Sequence, residues 1–270
     1  MSDSVFEKAF AKLNLSLHIL GAKGAYHEIE MLDQTIDLYD EIFLSPRKDD
    51  LLVSEFEGDN SLVVLKKLQE EFRFGGVTVS VKKKIPIGGG LGGSSADAAA
   101  AALAAAKLFS LPIDRVKEIT APLFGDIAFQ MTKGTAIARG MGEIIDPLSP
   151  LPSYFVLLCF PEKGVETKEA FRLSDGYEKS KPQIRSLYGA LSRGENAQAF
   201  YANDLLPAAM LLNGEIEPIL RSLADDRALL TGMTGSGSTL FSIYEEKADA
   251  EKKAQALSCR TLITRFSRGI

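Results

Sequence analysis

Eleven consecutive residues, Pro86-Ile87-Gly88-Gly89-Gly90-Leu91-Gly92-Gly93-Ser94-Ser95-Ala96, are the part of this chain best suited to chemistry. Five glycines let a backbone come close to a ligand. The serines stand just before Asp97 to Phe109, an alanine-rich run with high helix propensity and no breaker. Upstream, Val77-Thr78-Val79-Ser80-Val81 alternates as a strand does. A loop that leaves a strand and opens a helix presents unpaired N–H groups at the positive end of the helix dipole. That is an anion site, and phosphate is the anion it suits. The bland alternative is a glycine hinge, but a linker has no need to run straight into a strong helix.

The same loop contains G-x-G-x-x-G at Gly88, Gly90 and Gly93, which points to a redox dinucleotide. That fold needs a second strand ending in an acidic residue about 20 positions on. Here Pro112 to Ile119 reads as another helix instead, and the lysine that closes a P-loop is absent. A second polar set lies near the start. In Lys12-Leu13-Asn14-Leu15-Ser16-Leu17-His18-Ile19 a strand puts the leucines and Ile19 on one face and Lys12, Asn14, Ser16 and His18 on the other. By periodicity alone that is a half-exposed edge strand with a solvated polar face.

The elements that must position these groups suit two α+β domains. Strands and helices interleave without a strict βαβ rhythm. The chain divides at Asp146-Pro147-Leu148-Ser149-Pro150-Leu151-Pro152, where prolines preclude a continuous helix or central strand, giving domains at 1–147 and 148–270. With 270 residues, 46% hydrophobic and 25% charged, each half can bury a core. A net charge of −5 argues against a broad nucleic-acid surface, so an anion must be bound locally. Cys159 and Cys259 are too few for a disulfide framework, and Cys159 falls in an apolar run that predicts a buried thiol. No stretch reads as a signal peptide or bilayer span, so the expected location is the cytoplasm, with no membrane partner and a monomer or homodimer.

The stretch Pro86 to Asp97 resembles the phosphate loop of the galactokinase, homoserine kinase, mevalonate kinase and phosphomevalonate kinase (GHMP) superfamily. Ala11-Lys12-Leu13-Asn14-Leu15, Tyr26-His27 and Gln34-Thr35-Ile36-Asp37 are similar to the opening of one branch, whose members phosphorylate 4-diphosphocytidyl-2-C-methyl-D-erythritol. Phe124-Gly125-Asp126-Ile127-Ala128-Phe129 resembles the stretch that holds the branch's catalytic aspartate. Thr234-Gly235-Ser236-Gly237-Ser238 resembles the third superfamily motif, and Arg139-Gly140-Met141-Gly142-Glu143 fits its strand pair. The likeness runs from Ala11 to Phe241.

That resemblance implies a two-domain α+β fold with the active site between the domains, ATP and Mg²⁺ as cofactors, and a substrate carrying a cytidine diphosphate. It implies that Pro86 to Ala96 cradle the ATP phosphates and that Ser94 or Ser95 ligates the metal. Asp126 would take the substrate proton and Lys12 would support it. Asn14, Tyr26, His27, Thr167, Phe171 and Gly235 would contact substrate, with His27 on the cytosine edge and Phe171 on its face. The position expected to supply the second aromatic face is Asp33, whose carboxylate is expected to accept from the cytosine amino group; Asp33→Phe would then complete the sandwich. Alternatives are a kinase for another small alcohol, such as homoserine or a mevalonate-like acid, and a non-catalytic ligand sensor. A sensor needs neither Lys12 nor Asp126.

Overall fold

The computed structural model describes residues 4–24, 26–56 and 60–269. Its first part is built on β1 (Val5–Lys23), β2 (Tyr26–Pro46) and β3 (Leu52–Ser54), then α1 (Ser61–Phe72) and β4 (Val77–Lys82). After the glycine loop come α2 (Gly93–Leu108), α3 (Ile113–Thr120), α4 (Ile127–Thr132), β5 (Thr135–Gly140) and β6 (Ile144–Pro147). The second part runs β7 (Phe155–Phe160), α5 (Thr167–Ser174), α6 (Ile184–Ser192), α7 (Leu206–Leu212), α8 (Ile216–Leu223), β8 (Leu230–Met233), β9 (Leu240–Tyr244), α9 (Lys247–Gln255) and β10 (Arg260–Arg265).

The strands form two sheets. One has the order β3-β4-β2-β5-β6, with β1 also paired to β2; the other is β10-β7-β9-β8. The long antiparallel β1–β2 pair breaks register between Phe10 and Lys12 and again between Asn14 and Ser16. Lys12-Leu13-Asn14 is thus a short regular segment set between two irregularities, which re-aim side chains locally.

Helix α2 is apolar on every side, and its surroundings explain why. Ala96, Ala100, Ala101, Ala104 and Ala105 pack on Ile42, Leu44, Val77 and Val79 of the first sheet. Ala98, Ala99, Ala102 and Ala106 pack on Val64, Leu68, Val116, Ile127 and Met131 from the helices behind it. A helix without a polar face must be buried all round. Alanine permits that by letting the sheet and its neighbours approach closely. The packing holds the N-terminus of α2, and so the glycine loop, at the edge of a rigid core.

Sequence and structure agree on these elements with shifted ends. The helix expected from Asp97 starts at Gly93, so the two serines lie inside its first turn. Asn60 stands at the N-cap of α1, but its side chain makes no cap bond. Its amide reaches across to Ser94 Oγ at 2.7 Å. The edge-strand reading of residues 12–19 fails. Lys12, Asn14, Ser16 and His18 are all buried: Lys12 lies against Gly92 and Asp126, Asn14 bonds Asp33 and Met31, and His18 Nδ1 bonds Ser180 Oγ from the second part of the chain. Cys159 is buried as expected, and both cysteines are free.

Candidate active site

Lys12 and Asn14 sit two apart on β1 and therefore share a face. Their side chains touch: Lys12 Nζ donates to Asn14 Oδ1 at 2.8 Å. Across from them Asp126 occupies the N-cap of α4, with Gln130 N closing on its carbonyl. Lys12 Nζ lies 3.3 Å from Asp126 Oδ1. The lysine is almost fully buried while the aspartate keeps 30% of its side chain exposed, on the open side. Burial alone would lower the Lys12 ammonium, but Asp126 and then Asp33 outweigh it and hold it above its usual value. The result is a charged lysine beside an accessible carboxylate.

The glycine loop is pinned against this pair. Lys12 N donates to Leu91 O at 3.0 Å, and Thr234 Oγ1 donates to Gly90 O at 3.2 Å. The turn from Thr234 to Ser238 thus supports the loop from behind. Intrahelical bonding in α2 begins with Ala96 N on Gly92 O. The N–H groups of Gly93, Ser94 and Ser95 precede it and are the ones left for a ligand. Ala96 itself is buried against the sheet and its N–H is used. Its expected place among the phosphate contacts is therefore corrected.

These groups line one cleft of about 650 Å³, whose wall includes Lys12, Asn14, Pro86 to Ser95, Asp126, Thr167, Phe171 and Gly235. At one end Lys83 Nζ meets Asp40 Oδ2 at 2.5 Å and Asp97 Oδ2 at 2.6 Å, with Phe56 nearby. One ammonium faces two carboxylates there. Burial pushes Asp97 up to about 7 against the pull of Lys83, and its Oδ1 is buried without a protein partner. Sequence reading missed Lys83, Asp40 and Phe56 as site residues. Asp97 was legible as the end of the loop motif but carried no assigned role.

At the other end α5 supplies Thr167 and Phe171. Thr167 Oγ1 and Ser236 Oγ share a hydrogen bond of 2.8 Å, and Gly235 O accepts from Asn203. His27, from the start of β2, stacks on Phe171 with ring centroids 5.1 Å apart, and its Nε2 donates to Asp175 Oδ1 at 2.7 Å. The two expected base contacts therefore come together and cover each other. Tyr26 does not join them; it is 64% exposed and does not line the cleft.

Asp33 is the clearest correction. It is fully buried, off the cleft wall, and accepts from Asn14 Nδ2 at 2.5 Å. Register explains this: Asp33 pairs with Asn14 on one side and Ala136 on the other, in the middle of the sheet. It stands behind the Lys12–Asp126 pair rather than beside Phe171, so an aromatic ring there would meet packed sheet rather than a base. Burial pushes its carboxyl up to about 6, with Lys12 opposing and Asp126 adding to the rise.

The part of the chain that carries this loop and pair, and the part that closes the cleft over them, each match a family model of one class, the GHMP kinases. The family model "GHMP kinases N terminal domain" matches residues 60–139, and "GHMP kinases C terminal" matches 180–263. The 4-diphosphocytidyl-2-C-methyl-D-erythritol kinase of Thermodesulfovibrio yellowstonii is 36% identical over 91% of both chains. That of Rhizobium leguminosarum bv. trifolii is 34% identical over 94% of this chain and 90% of its own. A crystal structure of 4-(cytidine 5'-diphospho)-2C-methyl-D-erythritol kinase superposes with a TM-score of 0.84, covering 97% of this chain and 99% of that one at 28% identity. The homoserine kinase of Cytophaga hutchinsonii, at 16% identity and TM-score 0.69 over 99% and 96%, shares the fold. The chain belongs to the 4-diphosphocytidyl-2-C-methyl-D-erythritol kinase family.

Proposed function

We propose that this chain transfers the γ-phosphoryl group of ATP to the 2-hydroxyl of 4-diphosphocytidyl-2-C-methyl-D-erythritol. The observation that carries the reading is the Lys12–Asp126 pair, which lies in one cleft between the glycine loop and Phe171. A donor's phosphates on the loop and a base at Phe171 would place the acceptor hydroxyl between them. Asp126 takes the hydroxyl proton as the oxygen bonds to phosphorus and the bond to ADP breaks. Lys12 offsets the charge that develops on the transferred group. The N–H groups of Gly93, Ser94 and Ser95 hold the phosphates by fixed dipoles that need no reorganisation.

The donor set around the loop fits Mg²⁺. Among the described residues no cluster of three or more His, Cys, Asp or Glu could hold an ion unaided, which suits a metal ligated largely by phosphate and water. Ser94, Ser95 and Asp97 line the same cleft, and Asp97 Oδ1 is buried without a protein partner. Those three residues would hold it, and its chemistry there would be neutralisation of phosphate charge.

On the substrate side, Thr167, Gly235 and Phe171 would contact the cytidine diphosphate, and His27 would swing off Phe171 to let the base stack and then read its edge. We also divide the chain at 147/148, where β6 ends the first sheet and the proline-rich connection leads to β7 of the second. The test is phosphorus NMR of the protein with ATP, Mg²⁺ and the cytidyl substrate, run beside homoserine and mevalonate. Appearance of a phosphomonoester on the cytidyl compound alone is the expected result. Transfer to another alcohol, with no cytidine compound raising the melting temperature, would overturn the substrate.

A further inference from the structure

Asp33 is the one buried carboxylate near Lys12 and Asp126 that the mechanism above leaves without a task. Its partner is the key. Asn14 Nδ2 donates to Asp33 Oδ1 at 2.5 Å and to Met31 Sδ at 3.1 Å, so both amide hydrogens are taken by side chains of β2. The amide oxygen must then face the other way, where it accepts from Lys12 Nζ at 2.8 Å. An ionised carboxylate can only accept, so it dictates which end of the amide turns toward it. A flipped Asn14 would set oxygen against oxygen at Asp33 and an NH₂ group against the Lys12 ammonium.

We infer that Asp33 is a positioning residue, which through the Asn14 amide holds the Lys12 ammonium against Asp126. This inference rests on the kinase reading above. Asp33 makes no other side-chain bond: its Oδ2 is buried without a partner. Nor does it help the fold at neutral pH, since burial raises its carboxyl to about 6 and ionising it there works against folding. The charged groups that face it are Lys12 and Asp126, and its neighbour on β5 is the apolar Ala136. A buried, half-satisfied carboxylate is retained here for the orientation it imposes on its neighbours.

Two variants and one spectroscopic probe test this. Asp33→Leu removes the acceptor. kcat should fall about 10²-fold, the cost of a misplaced reacting group, while Kd for ATP and for the cytidyl substrate stays within about threefold. Asp33→Asn keeps an accepting oxygen but loses the charge, and should lose only about three- to tenfold in kcat. In wild type kcat should decline below pH about 6, toward the level of Asp33→Asn, and that limb should vanish in the variant. Independently of turnover, the Asn14 side-chain ¹⁵N resonance of the ligand-free protein should titrate near pH 6 in wild type and stay flat in Asp33→Asn.

Unchanged kcat in Asp33→Leu, or a loss confined to substrate affinity, would overturn the inference, and so would an Asn14 resonance that does not titrate. If Asp33→Leu fails to fold, the Asp33→Asn pH profile and the resonance decide. A wild type that titrates at Asn14 but does not phosphorylate the cytidyl compound would sink the substrate reading and leave the Asp33–Asn14 link standing.

Discussion

Alanine at Gly92 is the sharpest probe of how the glycine loop and Lys12 depend on each other. Gly92 has φ +69°, and a Cβ there would sit 3.0 Å from Lys12 Cγ, 3.3 Å from Lys12 Cε and 3.0 Å from Gln130 Nε2. Gly88 offers a matched control, with φ +71° and nothing within 4 Å of its Cβ position. Both substitutions pay the same left-handed backbone cost of roughly 1–2 kcal/mol, so their difference reports the contacts with Lys12 and Gln130, of which only Lys12 reaches Asp126. Carbon atoms rest about 3.5–4.0 Å apart, so the lysine stem must retreat by about half an ångström. Its ammonium then leaves the 3.3 Å approach to Asp126. A 1 Å error in placement costs on the order of 10²-fold, so half that error predicts about a tenfold lower kcat for Gly92→Ala than for Gly88→Ala. KM for ATP should differ little between the two. The assay is steady-state ADP release with saturating ATP, with melting curves to confirm that both variants fold. Equal kcat values would refute the reasoning, because they would mean that Lys12 does not need the space above Gly92.

Asp126→Asn should keep both ligands bound and lose about 10²–10⁴-fold in turnover, nearer the lower end if the transition state is loose; calorimetry beside kinetics checks it, and near wild-type turnover would remove the role. Phe171→Ala should weaken the cytidyl substrate by about 1–3 kcal/mol, or roughly 5- to 150-fold, without changing ATP affinity; equilibrium binding of cytidine diphosphate is the measurement. Stability should also carry the signature of Asp33, whose folded pKa of about 6 lies above the ordinary aspartate value of 3.8. Between those values the native state holds a proton that the unfolded chain has lost, so stability falls as pH rises through this window. That difference corresponds to about 3 kcal/mol. Urea unfolding should therefore find Asp33→Asn gaining on wild type by about that much between pH 4 and pH 7, and a pH-independent difference would contradict it.

What the sequence determined by itself was local. The glycine loop, the strand before it and the alanine helix after it are encoded by short-range propensity. The loop's anion-binding character follows from backbone groups that need no distant partner. The alternation at Lys12 and Asn14 likewise placed both on one face of a strand before any fold was known. Whether that face was wet or buried was not legible, because the groups that cover it come from distant parts of the chain, Gly92 and Asp126 against Lys12 and Ser180 against His18. Asp33 shows the limit most sharply. Its place in a motif pointed toward a base, yet β-sheet register set it opposite Asn14 and under the lysine. Lys83 and Asp40 gave no local signal at all, since a lysine after a strand and an aspartate within one are ordinary until the sheet and α2 bring Asp97 against them. Burial and pairing change a charged group's chemistry, and both are properties of the neighbours that tertiary packing supplies rather than of the residue or its flanking sequence.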